Sequence, residues 1–393
     1  MVYPIYPMTS ISVIMGIAIL AMATVMPTLF FVEGIMDFHP IRALAAKNNV
    51  TCVLVFGDSS VDPGNNNHLR LAPKGNFPPY GKDLFNGHPT GRLSNGRLAT
   101  DFIAEALGYT SVIPAFLDPT LTTADLLHGV SFASAGSGYD ELTSNLSNSL
   151  SVSQQLQYFR HYKIHLGRLV GEIKAEEITS NAIYVLSLGS NDFLQNYYRE
   201  LQRSQEFTPE QYVNFLAARM LHAAQVLSLS LSLSLSLSLS ENRSILGMHG
   251  LGARRMAVVG LSPIGCVPLV RTLKDLARQC DDEYNGVARS FNAKLQQNLA
   301  TLKASLGMQI AYIDIYSVMI SAINTPQKYG FMETSKGCCG TGMYEYSETC
   351  RGMSTCPDPS KYVFWDAAHP TQRMYEIIAG EAVKTIVRGY SNN

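Results

Sequence analysis

The chain has 393 residues, 46% of them hydrophobic and 16% charged, with a formal net charge of −1. That is enough apolar material for one large domain or two ordinary ones. The balance excludes the electrostatic footprint of a nucleic-acid or anionic-membrane binder, and the composition excludes an acidic disordered chain.

The first element is the uncharged run from Ile11 to Val32, "ISVIMGIAILAMATVMPTLFFV". Its length allows a signal peptide or an uncleaved hydrophobic anchor, so residues 1–45 read as one of these. Small residues suited to cleavage follow at Ala43-Leu44-Ala45. Either reading sends the remainder into the secretory path. Sequons at Asn49, Asn145 and Asn242 are permitted glycan acceptors there.

Beyond this segment, apolar β-branched runs alternate with helical patterns. Val53–Phe56, Gly129–Phe132, Ile183–Leu188, Met256–Gly260 and Ile310–Ile315 read as strands buried on both faces, which a parallel sheet covered by helices requires. Helices are expected over Asp101–Leu107 and Asn285–Leu306. Another should start at the capping box Thr208-Pro-Glu-Gln211, with Tyr212, Phe215, Leu216 and Met220 at helical spacing. The alternation predicts a three-layer α/β/α domain over residues 50–390, built on a central, mainly parallel five-stranded sheet. One segment does not fit. Leu227 to Ser240 is a perfect Leu-Ser repeat, which reads as a translated dinucleotide repeat and predicts a disordered insertion over about 227–249.

Seven cysteines suit an oxidising compartment. Cys266, Cys280, Cys338, Cys339, Cys350 and Cys356 can form three disulfides in fifteen ways, with Cys52 the odd one, on a strand. A zinc site is the weaker reading, because no pair of C-x-x-C units occurs.

The chemistry sits where strands end. The chain has no G-x-S-x-G elbow, no P-loop and no G-x-G-x-x-G after a strand, and His161 and His165 lack the Glu of a zinc-protease helix. Four other motifs follow apolar runs: "FGDSS", "GVSFASAGSG", "LSLGSND" and, near the C-terminus, "FWDAAHP". A parallel sheet would gather a serine, a Gly-rich turn, an Asn and a D-x-x-H at one edge.

This set, with "DPGNNN", "NFPPYGKD", "PTGRLSNGRLATDFIAEALG", "LGARRMAVVGLSPIGCVP" and "YVFWDAAHPT", resembles the plant GDSL esterase/lipases of the SGNH hydrolase superfamily, from about Val53 to the C-terminus. The resemblance implies a flavodoxin-like fold and carboxylic ester hydrolysis through an acyl-enzyme, with neither metal nor cofactor. It implies Ser59 as nucleophile, His369 as base and Asp366 as the orienting carboxylate. The oxyanion hole would be the Ser59 and Gly136 N–H groups and the Asn191 amide, with Gly136 favoured over Gly138. Asp192 is then a network residue, and Asp62, Asn65, Asn66 and Asn67 shape the nucleophile loop. Ser60 is expected to tolerate replacement.

Three departures stand out: Ser131 where the family's second block usually has Asn, His88 and Leu93 where Arg and Phe are more usual, and the Leu-Ser insertion. Expected partners are a small-molecule, lipid or polysaccharide ester, with no nucleic acid and membrane contact only through the N-terminal segment. The chain is expected to be a secreted, extracellular (cell-wall) monomer. The competing reading is a catalytically weak cell-wall or partner-binding member of the same fold.

Overall fold

Four of the five expected strands form the central sheet. They are β1 (Val53–Gly57), β2 (Ile183–Ser187), β3 (Arg255–Val259) and β4 (Gln309–Ile313), all parallel, in that spatial order. The register places Val55 opposite Val185, Val185 opposite Ala257, and Ala257 opposite Ala311. The computed structural model describes residues 38–228 and 253–391. The apolar run at 11–32, the sequon at Asn242 and the Leu-Ser tract beyond Ser228 lie outside the described residues.

The fifth expected strand is reduced to a bridge. Beside β1, Ser131 pairs with Val55 on one side and with Ala115 on the other, in parallel. The Val55 N–H donates to the Val130 carbonyl (3.1 Å), and the Phe132 N–H to the Val55 carbonyl (2.7 Å). The Ser134 N–H still donates to the Gly57 carbonyl (3.0 Å), but side chains take the amides that would extend the ladder: the Gly57 N–H donates to Gln155 Oε1 and, on the Ala115 side, the Ala133 N–H to Ser131 Oγ.

Alternating strand residues face opposite layers. Leu54, Phe56, Tyr184, Leu186, Met256 and Val258 point into the larger core, shared with the helices Val152–Val170, Pro209–Ser228 and Asp282–Leu306. On the opposite side lie the helices His39–Lys47, Ala99–Leu107, Ile315–Asn324 and, lengthwise, Gln372–Ser391, which packs against β4 and three of its fellow helices. The capping box at Thr208 forms as read: the Thr208 N–H donates to Gln211 Oε1 (2.8 Å) and the Gln211 N–H to Thr208 Oγ1 (3.3 Å). Tyr212, Leu216 and Met220 are fully buried and Phe215 half-buried.

Two boundaries differ from the sequence reading. The helix Pro209–Ser228 absorbs the first residues of the Leu-Ser tract. Leu227 is buried, and its carbonyl accepts a 2.7 Å hydrogen bond from the Ala253 N–H. Further upstream, Ala43-Leu44-Ala45 sits within the helix His39–Lys47, with Ile41, Leu44 and Ala45 buried.

The six paired cysteines form Cys266–Cys280, Cys338–Cys356 and Cys339–Cys350, leaving Cys52 free and buried. Two of these bridges tie down the loop beside a short parallel pair, β5 (Glu333–Gly337) and β6 (Tyr362–Phe364), which delivers the FWDAAHP block. Among the described residues no helix is long and apolar enough to cross a membrane.

Candidate active site

β1 ends against its neighbour without room for a side chain. A Cβ on Gly57 would overlap the Ser187 carbonyl oxygen, so glycine is required at this close approach. Gln155 clamps the same residue from the helix behind, accepting from the Gly57 N–H and donating to its carbonyl, both at 2.9 Å. The chain then makes an Asx turn: Asp58 Oδ1 accepts from the Ser60 N–H (2.9 Å) and from Ser60 Oγ (2.7 Å). Ser60 Oγ also lies 2.9 Å from Ser187 Oγ. The Ser60 hydroxyl is therefore engaged in holding the turn, while Ser59 stands half-buried at the turn's outer edge.

The polar patch after the serines fixes this loop. Asp62 accepts from the N–H groups of Gly64 and Asn65 and, across the loop, of Ala135. Asn65 Nδ2 donates to the carbonyls of Ser131 (2.8 Å) and Ala133 (2.7 Å), and Asn66 Nδ2 to that of Ala135 (2.8 Å). Asn67 reaches the Thr90 carbonyl. Burial pushes the Asp62 carboxyl up to about 6 even though these amides favour its ionised form. Ser131 Oγ donates to the Val61 carbonyl at 2.9 Å, so the residue in place of the usual Asn still braces the loop that carries Ser59. His88 is exposed, and Leu93 is buried in a small core with Phe77, Tyr80 and Trp365.

At the far edge, Asp366 and His369 share one turn. Asp366 Oδ1 accepts from the Ala368 N–H (2.8 Å) and the His369 N–H (2.7 Å), and both carboxylate oxygens lie 2.9 Å from His369 Nδ1. A carboxylate only accepts, so Nδ1 carries the proton and Nε2 is left as the basic nitrogen. Tyr80 donates its hydroxyl to Asp366 Oδ2 (2.8 Å) and accepts from the Ser347 N–H (2.7 Å), within the loop bridged by Cys339–Cys350. Asp366 is fully buried. Burial alone would lower the His369 pKa, but the charge and hydrogen bond of Asp366, helped by Asp58, outweigh it and raise the pKa above 6.5.

The third motif supplies Asn191, whose Nδ2 donates to the Ser137 carbonyl at 2.9 Å, leaving its second amide hydrogen for a ligand. Asp192 next to it is fully buried and accepts from the Tyr139 and Asp140 N–H groups and Thr143 Oγ1. It is a network residue, its carboxyl pushed up by burial to about 7. Gly136 has φ +91° and packs against Ser147, while a Cβ on Gly138 would strike the Asp192 carboxylate.

Ser59, Asn191 and His369 line one pocket at the carboxyl ends of β1 and β2; Gly136 is not among its lining residues. Among the described residues no group of His, Cys, Asp and Glu could hold a metal ion. The motifs did not reveal Tyr80, Gln155, Asp58 or Ser187. The only available signal for Tyr80 was its place in "NFPPYGKD", a phrase that says nothing about a partner far away in the chain.

A GDSL-like lipase/acylhydrolase family model matches residues 53–382. GDSL esterase/lipase At5g45950 of Arabidopsis thaliana is 54% identical over 351 residues, covering 89% of this chain and 92% of the relative. From the same plant, GDSL esterase/lipase At4g26790 is 41% identical, covering 84% and 90%, and GDSL esterase/lipase EXL3 is 38% identical, covering 88% and 90%. With the serine turn, the D-x-x-H pair and the Asn meeting in one pocket on a parallel sheet, the chain belongs to the GDSL esterase/lipase family.

Proposed function

We propose that this carboxylic ester hydrolase works by covalent catalysis through Ser59. His369 Nε2 takes the Ser59 proton as Oγ attacks the ester carbonyl, and Asp366 holds the ring and stabilises the imidazolium. Negative charge on the carbonyl oxygen is met by the Ser59 N–H, the Gly136 N–H and the free Asn191 amide hydrogen. The intermediate collapses as His369 protonates the departing alcohol, and water then cleaves the acyl-enzyme by the same route. The observation that carries this reading is the buried Asp366–His369 pair, 2.9 Å apart, whose His369 lines the same pocket as Ser59 and Asn191. The Ser131 bond to Val61 supports an intact site over a weakly active, partner-binding one.

Three disulfides and the apolar run upstream support a secreted, extracellular protein. Because Ile41, Leu44 and Ala45 are buried in the fold, we place any leader cleavage before His39 rather than at Ala43–Ala45. N-terminal sequencing of the secreted protein reads the position directly.

Hydrolysis of p-nitrophenyl butyrate by purified wild type, Ser59→Ala and Ser60→Ala tests the assignment. Ser59→Ala should lose turnover by at least about 10³-fold. Ser60→Ala should keep most of the rate but lose about 1–2 kcal/mol of stability, since buried Asp58 forfeits a donor. Equal rates for wild type and Ser59→Ala would remove Ser59 as nucleophile.

A further inference from the structure

We propose that the acyl chain of the substrate enters a slot between the central sheet and the C-terminal helix, and that this slot selects short unbranched acyl chains of about four to six carbons. The proposal rests on Ser59 being the nucleophile, which puts the ester carbonyl at the slot's mouth.

The pocket does not end at the reacting residues. One wall is the sheet face turned away from the larger core. Ser187, Val259 and Ile313 form the row at the strand ends, with Val185 and Ala257 one pleat deeper. The opposite wall is one stripe of the helix Gln372–Ser391, formed by Tyr375, Ile378, Ala382 and Ile386 at helical spacing. Ile103 and Met319 close the sides. Exposure falls from half-buried at Ser59 and Asn191 to none at Ile386, which gives the slot an open catalytic end and a closed distal one.

Helix and sheet layers normally pack with few voids larger than a water molecule. Here space remains because small side chains face each other across the layers, Ala257 on the sheet and Ala382 on the helix. The internal volume is about 120 Å³, room for about four water-sized groups at ~30 Å³ each. A methylene is such a group, and the walls beyond the mouth are apolar.

Tyr375 adds a second observation. It is 3% exposed, lines the slot, and its hydroxyl has no hydrogen-bond partner among the described residues. Its backbone N–H donates to the Thr371 carbonyl, two residues past His369, which sets it at the catalytic end. There it offers a donor to an oxygen at the carboxyl end of an entering acyl chain, while the chain beyond needs only apolar contact.

An acetyl ester of a polysaccharide would occupy the mouth alone, so chain length separates the two substrate classes. Each methylene buried should raise kcat/KM up to about fourfold until the slot is full. With p-nitrophenyl esters from acetate to decanoate and the full-length protein, kcat/KM should rise at least tenfold from acetate to hexanoate and fall again at decanoate. Ala382→Phe, which fills the slot, should lower the hexanoate value at least tenfold and leave acetate within twofold. Ile386→Ala should move the optimum to longer chains. Hexanoate binding by Ser59→Ala protein, measured by calorimetry, reads the slot without the chemistry and should be lost in Ser59→Ala/Ala382→Phe. A flat or falling chain-length profile, equal losses on acetate and hexanoate in Ala382→Phe, or hexanoate binding indifferent to Ala382→Phe would each overturn the proposal. Persistent turnover by Ser59→Ala would instead overturn the nucleophile and leave the binding result to judge the slot.

Discussion

Asp366 receives two backbone amides, the Tyr80 hydroxyl and the His369 ring without any solvent access. Asp366→Asn keeps the shape but offers an amide hydrogen where an acceptor is needed, so the ring would turn or adopt the other tautomer. We expect kcat to fall by about 10³–10⁴. We also expect the residual activity to rise with pH at a lower midpoint, because the main influence raising the His369 pKa has gone. A pH–rate profile of the variant checks this, and an unmoved midpoint would mean that Asp366 does not tune the base. Ser59, Asn191 and His369 were legible because each sits in a short motif whose residue type names its chemistry. Tyr80 was not, since its bond to Asp366 spans 286 positions. The hydrogen bonds of Ser60 were closed to the sequence for a related reason: the family pattern assigns no role to this residue, whereas the fold gives its hydroxyl to Asp58 and Ser187.

At the scale of elements, continuous apolar runs identified β1 to β4 to within a residue or two of their observed ends. The Gly129–Phe132 run has the same composition but not the same fate. Apolar periodicity cannot show that Gln155 and Ser131 will take the Gly57 and Ala133 amides away from the ladder. The Leu-Ser tract is the complementary case, where pattern failed and the described flanks explain why the fold accommodates it. Leu227 and Ala253 are joined by a backbone hydrogen bond, so whatever lies between them leaves and returns at one place. Replacing residues 229–252 with a short Gly-Ser linker should therefore preserve the fold and activity. A fourfold shorter loop should stabilise the protein by about 1 kcal/mol. Starting the deletion at Leu227 instead removes a buried side chain and should cost about 2–5 kcal/mol. Thermal melts of the two deletions distinguish these outcomes, and unfolding of the 229–252 replacement would show that the tract contributes to the core.

The molecule as a whole should show opposed pH dependences of stability and rate. Asp62 and Asp192 have carboxyls pushed up to about 6 and about 7 from an ordinary 3.8, and His369 is raised above 6.5. Each binds its proton more tightly in the folded chain than in the unfolded one. Stability therefore falls as pH rises, from about 4 to 7 for the two carboxyls and from 6.5 upward for His369. The Tm should be a few degrees higher at pH 5.5 than at pH 8. Over the same interval kcat/KM should climb as His369 loses its proton. A Tm that rises towards pH 8 would contradict the buried-acid assignment. Neither trend could be read from the net charge of −1, because it is burial and not charge count that moves these groups. The cysteine pairing was equally closed to the sequence, which left fifteen arrangements open until the chain was folded.

That pairing reaches into the chemistry. The Ser347 amide holds the Tyr80 hydroxyl, which in turn holds Asp366, and Ser347 lies inside the loop bridged by Cys339–Cys350. The sheet carries no disulfide, whereas the brace beneath the Asp366 carboxylate hangs from one. A copy stranded in a reducing compartment could build its sheet and still lack a firmly held histidine. Activity would then depend on export, and a misdirected molecule would do its host cell's own esters little harm.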